Sequence, residues 1–203
     1  MKLRPSIARG PIEPVKCGMQ TATLTCHPAT PCEAVRRIVA HMKVSPTGIL
    51  TLEYSLNGDI GHLRIPAAGE PRRAEKLWQH TCFEAFIATP DDAGYYELNF
   101  SPSGEWAVYG FDGYREGMTM AEAVQPSIAT HRDPQGLVLE AVVDLKEFDD
   151  FRNRAELRLA LSAVIEESNG RLSYWALAHP SSKPDFHHAD NFVLTLDRSG
   201  RLA

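Results

Sequence analysis

A chain of 203 residues that is 43% hydrophobic and 23% charged can bury a core without disulfides or metal, and is too apolar for disorder beyond its ends. Its net charge of −5 and pI of about 5.9, with no Lys/Arg patch interleaved with aromatics, argue against a nucleic-acid partner. Met1-Lys2-Leu3-Arg4-Pro5 leads into no apolar run of signal-peptide length, and no segment reaches the ~20 apolar residues of a membrane span, so a cytoplasmic location is expected.

Along the chain, short apolar stretches alternate with turn signals, and helical periodicity is scarce. Met19 to Cys26 reads as a first strand. Glu33 to Val44 could pass for a helix, but Val35, Ile38, Val39 and Val44 are β-branched, and a strand is expected. Ile49 to Leu56 alternates at period two and stops at Asn57-Gly58, a hairpin-type turn, with Ile60 to Ile65 as the expected partner. Cys82 to Ala88 is a strand ended by Pro90-Asp91-Asp92, and Tyr95 to Phe100 follows. The turn Ser101-Pro102-Ser103-Gly104 returns Glu105 to Phe111 antiparallel. Val124 to His131 and Leu137 to Leu145 flank Asp133-Pro134-Gln135-Gly136, and Lys146 to Phe151 reads as one short helical turn. Leu157 to Glu166 and Arg171 to Ala178 flank Ser168-Asn169-Gly170, and Phe192 to Leu196 closes the chain. About a dozen strands without long helices between them predict one all-β domain over residues 1–203, a sandwich of two antiparallel sheets.

The four cysteines, Cys17, Cys26, Cys32 and Cys82, fit a compartment in which thiols stay reduced. The Cys26 to Cys32 spacing is not that of a zinc knuckle.

Three segments carry unusual chemistry. In Leu77-Trp78-Gln79-His80-Thr81-Cys82-Phe83-Glu84, Trp78 and His80 stand at the mouth of a strand that contains Glu84. A carboxylate between Phe83 and Phe86 needs a cation, a donor or a wet cleft, unless it simply faces solvent. In the second, Tyr95 to Tyr109, period two puts Glu97 and Asn99 on one face and Tyr96, Leu98 and Phe100 on the other. Glu84, Glu97 and Asn99 can then pool beside Trp106, Tyr109 and Tyr114, with Arg115 close by. Flat rings beside carboxylate and amide acceptors suit a sugar or polyol, whose C–H faces stack while its hydroxyls bond. The bland alternative is that the rings are core and Arg115 neutralises Glu84 or Glu97. The third segment, Tyr174-Trp175 to Asp190, holds His179, Asp185, His187 and His188. Its residues His179, Asp185 and His187 could hold a metal, provide a carboxylate-oriented base, or form a structural latch. No nucleophile elbow, phosphate-cradling loop, dinucleotide fingerprint or H-E-x-x-H helix is present.

Taken together, Leu77-Trp78-Gln79-His80-Thr81-Cys82-Phe83-Glu84, Asn99-Phe100-Ser101-Pro102-Ser103-Gly104, His179-Pro180 and Pro184-Asp185-Phe186-His187 resemble the bacterial DOMON-like proteins, which are similar to family 9 carbohydrate-binding modules. The resemblance runs from about Cys17 to Leu196. It implies a jelly-roll or immunoglobulin-like β-sandwich that binds a sugar, or haem as in some DOMON relatives. Family 9 modules hold sugar between aromatic rings, for which Trp78, Trp106 and Trp175 are the candidates here. The expected function is therefore non-catalytic binding of a small sugar-like ligand, without cofactor, metal, nucleic acid or membrane. Glu84, Glu97 and Asn99 would accept hydrogen bonds, Arg115 and His80 would donate them, and Tyr109, His179, Asp185 and His187 would line the cleft. The alternatives are a metal or acid–base enzyme built on His179, Asp185 and His187, a haem-binding redox module, or a structural domain without a cleft.

Overall fold

The computed structural model describes residues 19–151 and 154–197, which leaves Cys17 outside the described residues. Twelve strands form: β1 (Gln20–Cys26), β2 (Val35–Val44), β3 (Ile49–Gly58), β4 (Cys82–Ala88), β5 (Tyr95–Phe100), β6 (Trp106–Phe111), β7 (Thr119–Met120), β8 (Ser127–Asp133), β9 (Gly136–Asp144), β10 (Glu156–Glu166), β11 (Leu172–Ala176) and β12 (Leu194–Asp197). The only helical pieces among the described residues are single 3₁₀ turns. One antiparallel hydrogen-bonded path runs β7-β6-β5-β4-β10-β11-β1-β2-β3-β9-β8, with β12 attached to β10.

Two sheets were expected from the strand spacing. The ladder instead continues through the β1–β11 pair, at Thr25 opposite Ala176 and Cys26 opposite Trp175, as one curled sheet. Its two arms close on one another. Tyr54 of β3 donates its hydroxyl to the Glu84 carbonyl at 2.7 Å, and its ring lies 5.1 Å from that of Phe83. Between the arms, Ile38, Met42, Leu50 and Leu52 meet Phe83, Ala85, Ile87, Leu98 and Phe100 in one apolar core.

Of the segment expected as a strand, Glu33 to Val44, residues Val35–Val44 form β2. The expected hairpin partner of β3 does not form a strand. Asp59 accepts a hydrogen bond from the Gly61 N–H and closes Ile60–His62 into a 3₁₀ turn. Both edges of β3 are already taken by β2 and β9, so the Asn57-Gly58 stop ends the strand without starting a hairpin.

The arm β6-β5-β4-β10-β11 is buried on both faces. Every residue of β4 but the last is buried, which accounts for a nearly unbroken apolar run around Glu84. Its second face carries Phe86, Tyr95, Tyr109, Phe111 and Ala160, and the segment after β11 covers it with Phe186 and Phe192. That segment is fastened by Arg158, which donates to the Phe192 carbonyl at 3.0 Å, and by Asn191, which donates to the Asp185 carbonyl at 2.6 Å. The site forms beneath it.

Candidate functional site

Register brings the polar groups together. Across β4, β5 and β10, Glu84 stands opposite Asn99 on one side and Ser162 on the other. Glu97 stands opposite Phe86 in β4 and Tyr109 in β6. Glu84, Glu97 and Asn99 thus share the face turned away from the core between the arms, as alternation requires. Over them opens a cavity of about 400 Å³, within the size range of small-molecule sites. Glu84, Glu97 and Val164 form its floor, and Tyr109, Phe111, Tyr174 and Phe186 its walls. Trp78, Met118, Pro184, Arg115 and His187 also line it. Trp78 is 36% exposed and meets Tyr109 edge-on, with ring centroids 5.8 Å apart.

The polar partners are unevenly shared. Asn99 donates from Nδ2 to Glu97 Oε1 at 2.7 Å. Glu84 Oε2 receives only a long bond from the Ser162 hydroxyl, at 3.5 Å, and Glu84 Oε1 is buried with no hydrogen-bond partner. Burial, reinforced by the nearby Glu97 carboxyl, pushes the Glu84 carboxyl well above the usual carboxylate range. Burial also raises Glu97, against the opposing pull of the Asn99 amide and Arg115.

Asp185 organises the mouth. Its carboxylate accepts from the Tyr114 hydroxyl at 2.7 Å, from Arg115 Nη2 at 3.0 Å and from the His187 backbone N–H at 3.2 Å. Burial alone would raise this carboxyl, but the Tyr114 and Arg115 bonds hold it below its ordinary value. Tyr95 accepts from the Arg115 N–H at 3.1 Å and lies 2.7 Å from His187 Nδ1. His187 Nε2, on the other side of the ring, lies 3.6 Å from Glu97 Oε2. Burial, aided by the Arg115 charge, drives His187 down to about 4, so the ring is neutral at neutral pH. Arg115 sits at φ 56°, a left-handed conformation that costs a non-glycine residue about 1 kcal/mol or more and persists where surrounding contacts impose it. Its bonds to Tyr95 and Asp185 do so here.

Of the residues singled out in the sequence, Trp78, Glu84, Glu97, Tyr109, Arg115 and His187 line the cavity. Asn99 and Asp185 stand behind it, bonded to Glu97 and Arg115. The other four lie elsewhere. Trp106 is three residues from Tyr109 on the same strand, so it points to the opposite face and packs against the core between the arms. Trp175 is adjacent to Tyr174 and likewise faces that core, where its Nε1 donates to Ser173 at 3.0 Å. His80 bonds through Nδ1 to Glu166 at 2.8 Å. His179 is bonded through Nε2 to the Thr25 carbonyl at 2.8 Å and abuts the His27 ring.

His179 and His187 therefore do not converge. Their anchors Thr25 and Tyr95 lie on β1 and β5, four ladder steps of roughly 4.8 Å apart. Among the described residues no group of three or more His, Cys, Asp or Glu side chains is placed to hold a metal. Sequence reasoning missed Phe111, Tyr174 and Phe186. Alternation could have found two of them: Phe111 shares the parity of Tyr109, and Tyr174 stands opposite Val164.

No family model matches the chain, and no curated protein is similar to it in sequence. Solved structures do resemble it. A proposed carbohydrate-binding protein from Bacteroides uniformis aligns with a TM-score of 0.66 at 15% identity, covering 89% of this chain and 86% of that one. The two share a fold. A family 9 carbohydrate-binding module from Caldicellulosiruptor kristjanssonii, in complex with glucose, aligns with a TM-score of 0.47 at 11% identity, over 96% of this chain and 91% of that one.

Proposed function

We propose that this chain is a cytoplasmic, non-catalytic binding domain of the DOMON-like type, its two arms acting as the layers of a jelly-roll-like sandwich. Its ligand is a sugar or related polyol. The observation that carries this reading is the cavity: a partly exposed indole, Trp78, stands edge-on to Tyr109 above a floor of buried carboxyls. A pyranose offers apolar C–H edges to such rings and hydroxyls to such oxygens, so both halves of the site find complements in one small molecule. Glu97, braced by Asn99, accepts from hydroxyls, and Arg115, held by Asp185, donates at the mouth. The Bacteroides uniformis protein that shares the fold, itself proposed to bind carbohydrate, supports the assignment.

One open cavity of this size implies a dissociation constant in the micromolar to millimolar range, about −8 to −4 kcal/mol. Titration calorimetry and tryptophan fluorescence against a panel of mono- and disaccharides test it. Saturable binding that weakens about tenfold or more in Trp78→Ala is expected. A panel with no binder at millimolar concentration, or a Trp78→Ala variant that binds like the parent, removes the proposal.

A further inference from the structure

Resting on that reading, the apolar surface around the mouth of the cavity narrows the ligand. Among the described residues six large apolar side chains stay exposed, and four of them gather at this rim: Trp78 at 36%, Tyr114 at 56%, Met118 at 60% and Met120 at 38%. The other two, Val138 on β9 and Val193 before β12, line no part of the cavity.

Register joins the strip to the site. Met120 of β7 stands opposite Tyr109 of β6, and cross-strand partners point to the same face, so Met120 lies on the cavity side of the sheet. Tyr109 is itself a wall of the cavity and meets the Trp78 ring at 5.8 Å. Met118, two residues before Met120, lines the cavity directly. Tyr114 is anchored at the mouth by its hydroxyl, which donates to Asp185 at 2.7 Å. Because β7 ends the hydrogen-bonded path, no further strand covers this edge. The strip is the outward continuation of the cavity wall.

Its chemistry differs from that of the interior. The hydrogen-bonding groups are Glu97 with Asn99 on the floor and Arg115 with Asp185 at the mouth. Along the strip the Tyr114 hydroxyl is already given to Asp185, and the two thioethers are weak acceptors. A sugar hydroxyl set against them loses water and gains no partner, whereas a flat apolar ring gains dispersion and sulfur–ring contact. Contiguous exposed apolar surface that runs into a pocket is the mark of a binding groove. A free sugar fills only the polar end of this site.

We propose that the ligand is a glycoside with an aromatic aglycone, its sugar in the cavity against Trp78 and its aglycone ring lying outward on Met118 and Met120. The site then discriminates aryl glycosides from free sugars and from glycosides with a small alkyl group.

The test is calorimetry on the full chain with matched methyl and phenyl glycosides of glucose, galactose, mannose and xylose, and with phenol alone. For any sugar that binds, the phenyl glycoside is expected to bind about tenfold tighter than its methyl counterpart, equivalent to about 1.4 kcal/mol. In the double variant Met118→Ser, Met120→Ser that ratio falls to within about twofold, with a thermal melt confirming that the variant is folded. Methyl and phenyl glycosides within about twofold in the parent overturn the aglycone assignment and leave the polyol reading intact. A phenyl preference that survives in the double variant also overturns it, because the ring then sits elsewhere. Phenol alone binding as tightly as the phenyl glycosides, or no saturable heat from any glycoside, overturns the aglycone assignment and the polyol reading together.

Discussion

Two buried glutamates stand on neighbouring strands and serve opposite purposes. Glu166, at the end of β10, is 4% exposed and fully partnered: Arg64 donates to Oε1, His80 bonds Oε2 at 2.8 Å, and the Glu166 N–H donates to the Thr81 hydroxyl at 3.0 Å. Thr81 in turn donates to the Arg64 carbonyl at 2.7 Å, and the Arg64 N–H to the Glu166 carbonyl at 2.7 Å. This region is a latch that ties the connection before β4 to β10. Glu84 is buried as deeply, yet among the described residues no cation is bonded to it and one of its oxygens has no partner. A buried carboxylate with its own cations braces the fold. One without them, on the floor of an open cavity, leaves room for a ligand.

That contrast can be broken or sharpened experimentally. The largest expected effect lies at the mouth of the cavity. Unfolded histidine titrates near 6.5 and folded His187 near 4, so the unfolded chain takes up the proton first. The stability that neutral His187 contributes is present above 6.5 and is lost as the pH falls from there through 4, a loss of about 3 kcal/mol. Urea denaturation of parent and His187→Gln across that range should show the parent's advantage shrinking by that amount. An advantage constant with pH would place His187 in a solvated setting instead.

Next in size is the latch. Glu166→Gln weakens charge-assisted bonds to Arg64 and His80 and should cost about 2 kcal/mol at neutral pH, read as a lower urea midpoint. The smallest effect has the opposite sign. The folded-state pKa of Glu84 is raised, so ionising it costs stability as the pH climbs from the unfolded value of 4.5 through the higher folded one. Glu84→Gln should therefore be more stable than the parent at pH 8, on the order of 1 kcal/mol, with the gain vanishing in acid. Effects of opposite sign in the two variants would establish the comparison, and destabilisation of both would make Glu84 a second brace.

Much of the fold can be read from local signals. Alternation in Tyr95 to Phe100 assigned Glu97 and Asn99 to one face and Leu98 and Phe100 to the other, as β5 has them. Turn chemistry at Asp133-Pro134-Gln135-Gly136 and Ser168-Asn169-Gly170 marked where β8 meets β9 and β10 meets β11. Strand pairing was less legible. Asn57-Gly58 carries a hairpin signal, but the neighbours of β3 are β2 and β9, and the choice of partner depends on residues distant in sequence.

The sequence by itself determined an all-β, antiparallel chain, because periodicity and turn residues act over a few bonds. Its alternation also implies that Trp106 and Tyr109, or Tyr174 and Trp175, cannot share a face, which the grouping of Trp106, Tyr109 and Trp175 in one expected cleft overlooked. Which of those faces is core and which is cavity was decided only by the curling of the sheet, which packs Trp106 and Trp175 against the opposite arm and leaves Tyr109 and Tyr174 beneath the covering segment. The same closure separates His179 from His187 within one segment and brings Tyr95, Arg115, Asp185 and His187 into a single network. Such meetings depend on burial and register across the whole sheet, and no local run of residues encodes them.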